Sequence, residues 1–330
     1  MEVECLSALG ERRARCWRAL LEQNGLEPDR DAERTVLLWE GEQLLATGSR
    51  KGNLLKCIAV DPARQGEGLT ATLLTRLRQD AFAQGHRHLF LYTKPKNQWM
   101  FASLFFYPVA QTEEVLLMED RREGIRSFLV SLPAPCTTGE IGAAVMHCNP
   151  FTLGHRHLIA TAAQECDWVY VFVLSEGGGI FPPEDRLELV RRGTAHLPNV
   201  TVLPTGPYLI SNATFPTYFL KNRDSAEQIH CRLDVEIFRR WFLPKFGITR
   251  RYVGTEPLSP LTERYNRALR EQLPIPVREL PRLESPEGPI SASAVRALLG
   301  SGQAEALHSL VPESTFAYLE QHNLIDGGKQ

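Results

Sequence analysis

The chain has 330 residues, 43% hydrophobic and 23% charged, enough apolar content for one large core or two ordinary ones, and its length favours two domains. Its 37 Lys and Arg against 39 Asp and Glu leave a formal charge of −2, which excludes a global basic field for nucleic acid or an anionic membrane. No apolar run reaches the roughly 20 residues that cross a bilayer, and the first residues lack a hydrophobic signal core, so a cytoplasmic protein without nucleic-acid or membrane partners is expected.

In chain order, a helix is expected near residues 11–23, then strands at Thr35–Trp39, Gln43–Thr47 and Leu54–Val60. The last strand leads into a loop holding Gln65, Gly66, Glu67, Gly68 and Thr70. A helix follows with Leu69, Leu73, Leu74, Leu77 and Ala81 on one face, then the strand Leu89–Thr93. This order resembles the GNAT acetyltransferase fold, in which a Q/R-x-x-G-x-G/A loop gives backbone N–H groups to the pyrophosphate of acetyl-coenzyme A. That resemblance implies a coenzyme-A-like groove at Gln65, Gly66 and Gly68. Thr70 stands where Gly or Ala is usual, and Glu67 would face a diphosphate. Ser103 to Pro108 resembles the motif around the family's general acid, with Phe105 in place of the usual Gly. A GNAT-like α+β fold is therefore expected, its groove holding the coenzyme-A-like arm of a carrier protein in place of acetyl-transfer activity.

Ser131 to Gly139 breaks periodicity with two prolines and a glycine, placing a boundary near 135 between domains 1–135 and 136–330. Beyond it come a strand at 141–146, a helix from 154, the almost wholly apolar Trp168–Leu174 and a helix after Pro182-Pro183 with Glu184 and Asp185 in its first turn. Segments 199–203 and 251–254 add strands. Strand, helix and continuous apolar strand in alternation predict a covered, doubly wound parallel sheet. The seven cysteines, Cys5, Cys16, Cys57, Cys136, Cys148, Cys166 and Cys231, form no C-x-x-C pair and read as reduced thiols, with Cys148 packed as a small apolar side chain. The pairs His86/His88 and His155/His157 lack a third ligand nearby, so no protein metal site is expected.

Two strings carry the chemistry. The first runs from Ile141 through Asn149-Pro150-Phe151-Thr152 into a helix opened by Gly154-His155. A strand that turns so sharply into a helix presents free N–H groups and a positive dipole end to a phosphate. Gly154 permits close approach, and the His155 imidazole can donate to an α-phosphate oxygen. The plain alternative is an ordinary cap with Thr152 as N-cap. The second string is Ile290-Ser291-Ala292-Ser293-Ala294-Val295-Arg296. Its hydroxyls and first-turn N–H groups suit the same anion, and Arg296 supplies a charged fork for the β- and γ-phosphates. Taken alone these serines read as helix caps and the arginine as a surface residue.

Together the strings resemble the HxGH nucleotidyltransferase superfamily, which implies an α/β domain with its nucleotide site at the carboxyl ends of the strands. Segments 181–190, 206–220 and 247–257 resemble, more narrowly, the citrate lyase ligase family. That likeness implies ATP-dependent acetylation, through acetyl-adenylate, of the prosthetic-group thiol on the acyl carrier subunit of citrate lyase. Acetate and ATP are the substrates, Mg²⁺ bridges the phosphates, and AMP and pyrophosphate are released. Carried onto this sequence, His155, Thr152 and Arg296 would be catalytic. Met146, Asn149, Phe151 and Gly154 would contact ATP, as would Gly254 and Glu256 after a later strand and Ile290, Ser291 and Ser293 in the second string. Asn149 stands where Asp is common and Thr152 where a first His often stands. His147 reads as an extra contact or, more readily, a packed core histidine, and Lys221 and Arg223 as basic groups reaching a phosphate or acetate or, more readily, a solvated pair. Both strings also occur in adenylyltransferases that act on a phosphorylated cofactor precursor, and a non-catalytic regulator that senses ATP or acetyl-coenzyme A is the other alternative.

Overall fold

A computed structural model describes all residues except 30, 135–137, 177, 210–214, 221–225, 256–259, 286–287 and 327–330. The chain divides into two units, Met1–Ile125 with Phe215–Leu233, and Arg126–Thr214 with Asp234–Gln330. Among the described residues no helix is long and apolar enough to cross a membrane.

The first unit contains β1 (Glu2–Leu6), α1 (Glu11–Gln23), β2 (Arg34–Glu40), β3 (Gln43–Lys51), β4 (Leu54–Val60), α2 (Leu69–Ala83), β5 (Phe90–Thr93), α3 (Gln98–Ala102), β6 (Tyr107–Gln111) and β7 (Leu116–Glu119). The strands form one sheet in the order β1-β2-β3-β4-β5-β7-β6. The α2 face seen in the sequence is buried, and Gly48 of β3 lets the helix lie close, since a Cβ there would stand 2.9 Å from Leu77. All neighbours are antiparallel except β4 and β5, which pair in parallel for only two residue pairs, Leu54 with Phe90 and Leu55 with Leu91. Beyond that point the ladder stops, and Ile58 to Val60 on one strand and Leu91 to Thr93 on the other line a cavity.

The second unit begins with α4 (Gly124–Ser131) and continues through β8 (Ile141–Met146), α5 (Leu153–Glu165), β9 (Trp168–Val173), α6 (Pro183–Thr194) and β10 (Val200–Pro204). After α7 (Ala226–Ile237), whose residues up to Leu233 belong to the first unit, a π-helical turn and α8 (Leu243–Phe246) come β11 (Arg250–Gly254), α9 (Pro260–Gln272), β12 (Val277–Leu280), the hairpin β13 (Glu284–Ser285) and β14 (Gly288–Pro289), α10 (Ala292–Leu298), α11 (Ala304–His308) and α12 (Glu313–Gln321). Five strands form a wholly parallel sheet, β10-β9-β8-β11-β12. The apolar run of β9 serves both faces. Val171 and Val173 join the core that includes Leu158 and Ile159 of α5 and Leu189 and Val190 of α6, while Phe172 meets Phe238, Phe242 and Phe246. The chain leaves β8 towards β9 and β10 and later returns on its other side as β11. Such a switch point opens a crevice at the carboxyl ends of the strands. β8 and β11 pair only at Gly142 with Arg250 and Ala143 with Arg251, so the crevice runs deep.

Candidate active site

The helix α5 starts at Thr152 because its hydroxyl accepts from the His155 N–H at 3.3 Å, and the Thr152 N–H donates to His155 Nδ1 at 3.0 Å. This is a capping box with histidine where Glu or Gln is ordinary. Since Nδ1 accepts a backbone proton, the neutral ring carries its own proton on Nε2. Phe151, fully buried, stacks on the imidazole with centroids 5.9 Å apart, and its carbonyl accepts from the Thr315 hydroxyl. Burial, reinforced by the nearby Arg282 charge and by His147, pulls the His155 pKa down to about 4. The ring is thus an uncharged donor at neutral pH.

A cavity of about 490 Å³ occupies the crevice. Met146 lines it from the end of β8 and Gly254 from the end of β11. Thr152, Gly154 and His155 line it from α5, and Ile290, Ser291 and Ser293 from the start of α10. Ser291 caps α10, its hydroxyl accepting from the Ala294 N–H at 3.0 Å. The two strings are therefore adjacent in space. Gly154 is what lets them meet, because a Cβ there would lie 3.3 Å from the Ile290 carbonyl oxygen.

Three expected contact residues stand behind the cavity wall. Asn149 is buried and its Oδ1 accepts from the Phe181 N–H at 3.3 Å, holding the turn against the following loop. Phe151 supports the His155 ring. Arg296 donates from Nη2 to the Ser293 hydroxyl at 2.9 Å and from Nη1 to the Asn149 carbonyl, so it ties the second string to the first. Glu256, Lys221 and Arg223 lie outside the described residues. Cys148 is buried as expected of a packed side chain, and burial pushes its thiol pKa up.

Other lining groups were not singled out from sequence. Arg282, just past β12, donates from Nε to the Thr255 carbonyl at 3.0 Å. Arg251 is 1% exposed, and its guanidinium lies 5.0 Å from the centre of the Phe238 ring. Asn266 reaches the Gly254 carbonyl and Glu279 at 3.0 Å each, fixing the end of β11. Arg282 just past the carboxyl end of β12 was the available signal, but β12 itself carries no strong strand pattern, and Arg251 stands at the amino end of β11.

The cavity of the first unit, about 590 Å³, is lined by Gln65, Gly66 and Gly68. Gly66 and Gly68 have φ of 90° and 78°, and Gly68 heads α2 without a side-chain cap, leaving first-turn N–H groups open. Glu67 does not face this space. Its carboxylate takes both oxygens to Arg64 Nε at 2.8 Å, and Arg64 also binds Glu40. Phe105 has φ of 63°, which accounts for glycine being the usual residue there. Tyr218 and Phe219 line the same cavity, with the Tyr218 hydroxyl donating to the Tyr92 carbonyl at 3.0 Å.

Two family models match the chain. The citrate lyase ligase C-terminal domain family matches residues 141–319, and the acetyltransferase (GNAT) family matches residues 8–103. Similar proteins include a [citrate [pro-3S]-lyase] ligase of Klebsiella pneumoniae, 42% identical over 310 residues covering 91% of each chain. Another bears the same name in Escherichia coli K12 and is 39% identical over 320 residues, 94% of this chain and 90% of that one. A phosphopantetheine adenylyltransferase of Corynebacterium efficiens is 39% identical over 69 residues, 20% of this chain and 43% of its own. The first unit is GNAT-like, and the second carries the parallel sheet related to nucleotidyltransferases.

Proposed function

This chain belongs to the citrate lyase ligase family, and on that premise we propose that it activates citrate lyase by ATP-dependent acetylation of the thiol on the lyase's acyl carrier subunit. An acetate oxygen attacks the α-phosphorus of ATP, the bond to the β-phosphate breaks, and acetyl-adenylate and pyrophosphate form. The carrier thiol then attacks the acetyl carbon and AMP departs. His155 Nε2–H donates to the α-phosphate as negative charge builds there. Ser293, held by Arg296, and Ser291, held at the α10 cap, steady the departing pyrophosphate, and the Thr152 N–H keeps the imidazole in its donor form. Mg²⁺ would arrive bound by the triphosphate oxygens and would offset their charge. The gain comes mainly from positioning.

The observation that supports this most is the capping box, which fixes a neutral Nε2–H donor in the cavity that the two serines also line. In acetate-dependent exchange of pyrophosphate into ATP, His155→Ala is expected to lose about tenfold or more, equivalent to about 1.4 kcal/mol of transition-state stabilisation. Unchanged exchange would remove His155 from the mechanism. Activation of thiol-form citrate lyase by the purified protein, ATP and Mg²⁺, with and without acetate, tests the whole reading. Exchange that needs a phosphorylated acceptor instead would favour an adenylyltransferase.

The cavity between β4 and β5, with open N–H groups at Gly68, suits the phosphate-bearing, coenzyme-A-like arm of the carrier. A Gly68→Val variant is expected to raise the KM for thiol-form citrate lyase severalfold. Normal carrier affinity in that variant, and in Gln65→Ala, would count against this role.

A further inference from the structure

His147 follows Met146 at the end of β8 and lines the nucleotide cavity. Its backbone carbonyl accepts from Arg186 Nη1 at 3.1 Å, which fixes the main chain there. Its ring Nε2 is buried and has no hydrogen-bond partner. Buried polar atoms are paired in the great majority of cases, and an exception in the wall of a binding cavity points to a partner that arrives with the ligand.

The other polar side chains described in the cavity wall are hydroxyls, amides, guanidiniums and imidazoles, of which only an imidazole is basic enough to take a proton from a thiol. His155 Nδ1 is taken by the Thr152 N–H, so that ring offers only Nε2–H. Arg251 and Arg282 are guanidiniums with no acceptor to give. The hydroxyls of Tyr265 and Tyr252 donate to Asp234 and Glu165 at 2.6 and 2.9 Å. Among the described residues no Asp or Glu lines the cavity, and His157 is exposed at its edge. The second half of the proposed reaction nevertheless has to remove a proton, because an alkyl thiol ionises only at about pH 8.5 or above and the thiolate is the nucleophile.

We propose that His147 is the general base for attack by the carrier thiol. Nε2 takes the S–H proton as the S–C bond to the acetyl carbon forms, and the C–O bond to AMP breaks with its electron pair leaving on the AMP phosphate. Protons, electrons and acyl group balance with no further reactant. The groups around the ring are Arg186 on α6, Arg296 on α10 and His155 on α5. Burial and the two arginine charges pull the His147 pKa down to about 4, so at neutral pH the ring is uncharged. With the proton on Nδ1 its Nε2 lone pair is claimed by no protein donor, and the AMP phosphate of the bound acyl-adenylate makes that nitrogen more basic by returning negative charge to the cavity.

This role rests on the acetyl-adenylate reading, and two assays on the full-length protein keep the two apart. His147→Gln and His147→Ala are compared in acetate-dependent ATP–pyrophosphate exchange and in acetyl transfer to thiol-form citrate lyase. Transfer is expected to fall by about tenfold or more, and exchange by only about twofold. The surviving exchange shows that the variants fold, and the glutamine retains a polar side chain at the site. The transfer deficit is also expected to shrink as pH rises from about 7 to about 9, where the thiol ionises unaided. Equal losses in both assays, no loss in either, or a deficit that ignores pH would each overturn the assignment. Absence of acetate-dependent exchange in the unaltered protein would remove the ligase reading and the His147 role together.

Discussion

At Thr152 and His155 a local capping motif and the proposed chemistry share the same atoms. The plain expectation, Thr152 as N-cap, holds in the structure, and the cap is also what directs the His155 proton. Thr152→Val is therefore expected to cost about 1 kcal/mol of stability, read by denaturant unfolding, and to lower exchange by more than that loss explains. The two cavity histidines also make stability depend on pH. Their folded pKa values of about 4 lie below the ordinary 6.5, so the unfolded chain binds protons that the folded chain refuses. Stability is then expected to fall as pH drops from 6.5 towards 4, and His155→Gln should flatten that slope in thermal melts. Both strings were legible because each is short and local. Arg296 was legible as a cation but not as a tie to Asn149, since that contact spans 147 residues and leaves no periodic trace.

Among the elements, β9 was the plainest in sequence: an unbroken apolar run can be satisfied only by cover on both faces, and Phe172 and Val173 receive it from opposite sides. Glu67 turns away from the expected diphosphate site because its neighbour three residues back, Arg64, claims the carboxylate. At Phe105 the left-handed turn before β6 holds a side chain that is 68% exposed, so Phe105→Gly relieves strain at little packing cost. Its Tm is expected to stay level or rise, and a fall of several degrees would show that the exposed ring stabilises the turn. The approach of α5 to the strand leading into α10 is tighter. Gly154→Ala improves helix propensity by about 1 kcal/mol but crowds the Ile290 carbonyl, so the KM for ATP should rise with little change in Tm.

On the scale of the whole molecule, the units do not follow one cut in sequence. Phe215, Tyr218 and Phe219 return to the first unit and are at most 7% exposed there. No helical or strand period announces such a return, which is why linker composition near residue 135 could not reveal it. Each of these rings contributes about 2 kcal/mol by burial, so a fragment ending at residue 125 is expected to melt well below residues 1–125 in the intact chain, as hydrogen exchange on both would show. The Thr152–His155 pair has a further effect on how the protein fails when warmed. First turns of helices open at lower free energy than the body of a domain, and opening this one sets the imidazole adrift without disturbing the sheet. Heat should silence the ligation reaction reversibly while the chain still looks native by circular dichroism, so the working temperature limit is set by one frayed turn and not by the melting point.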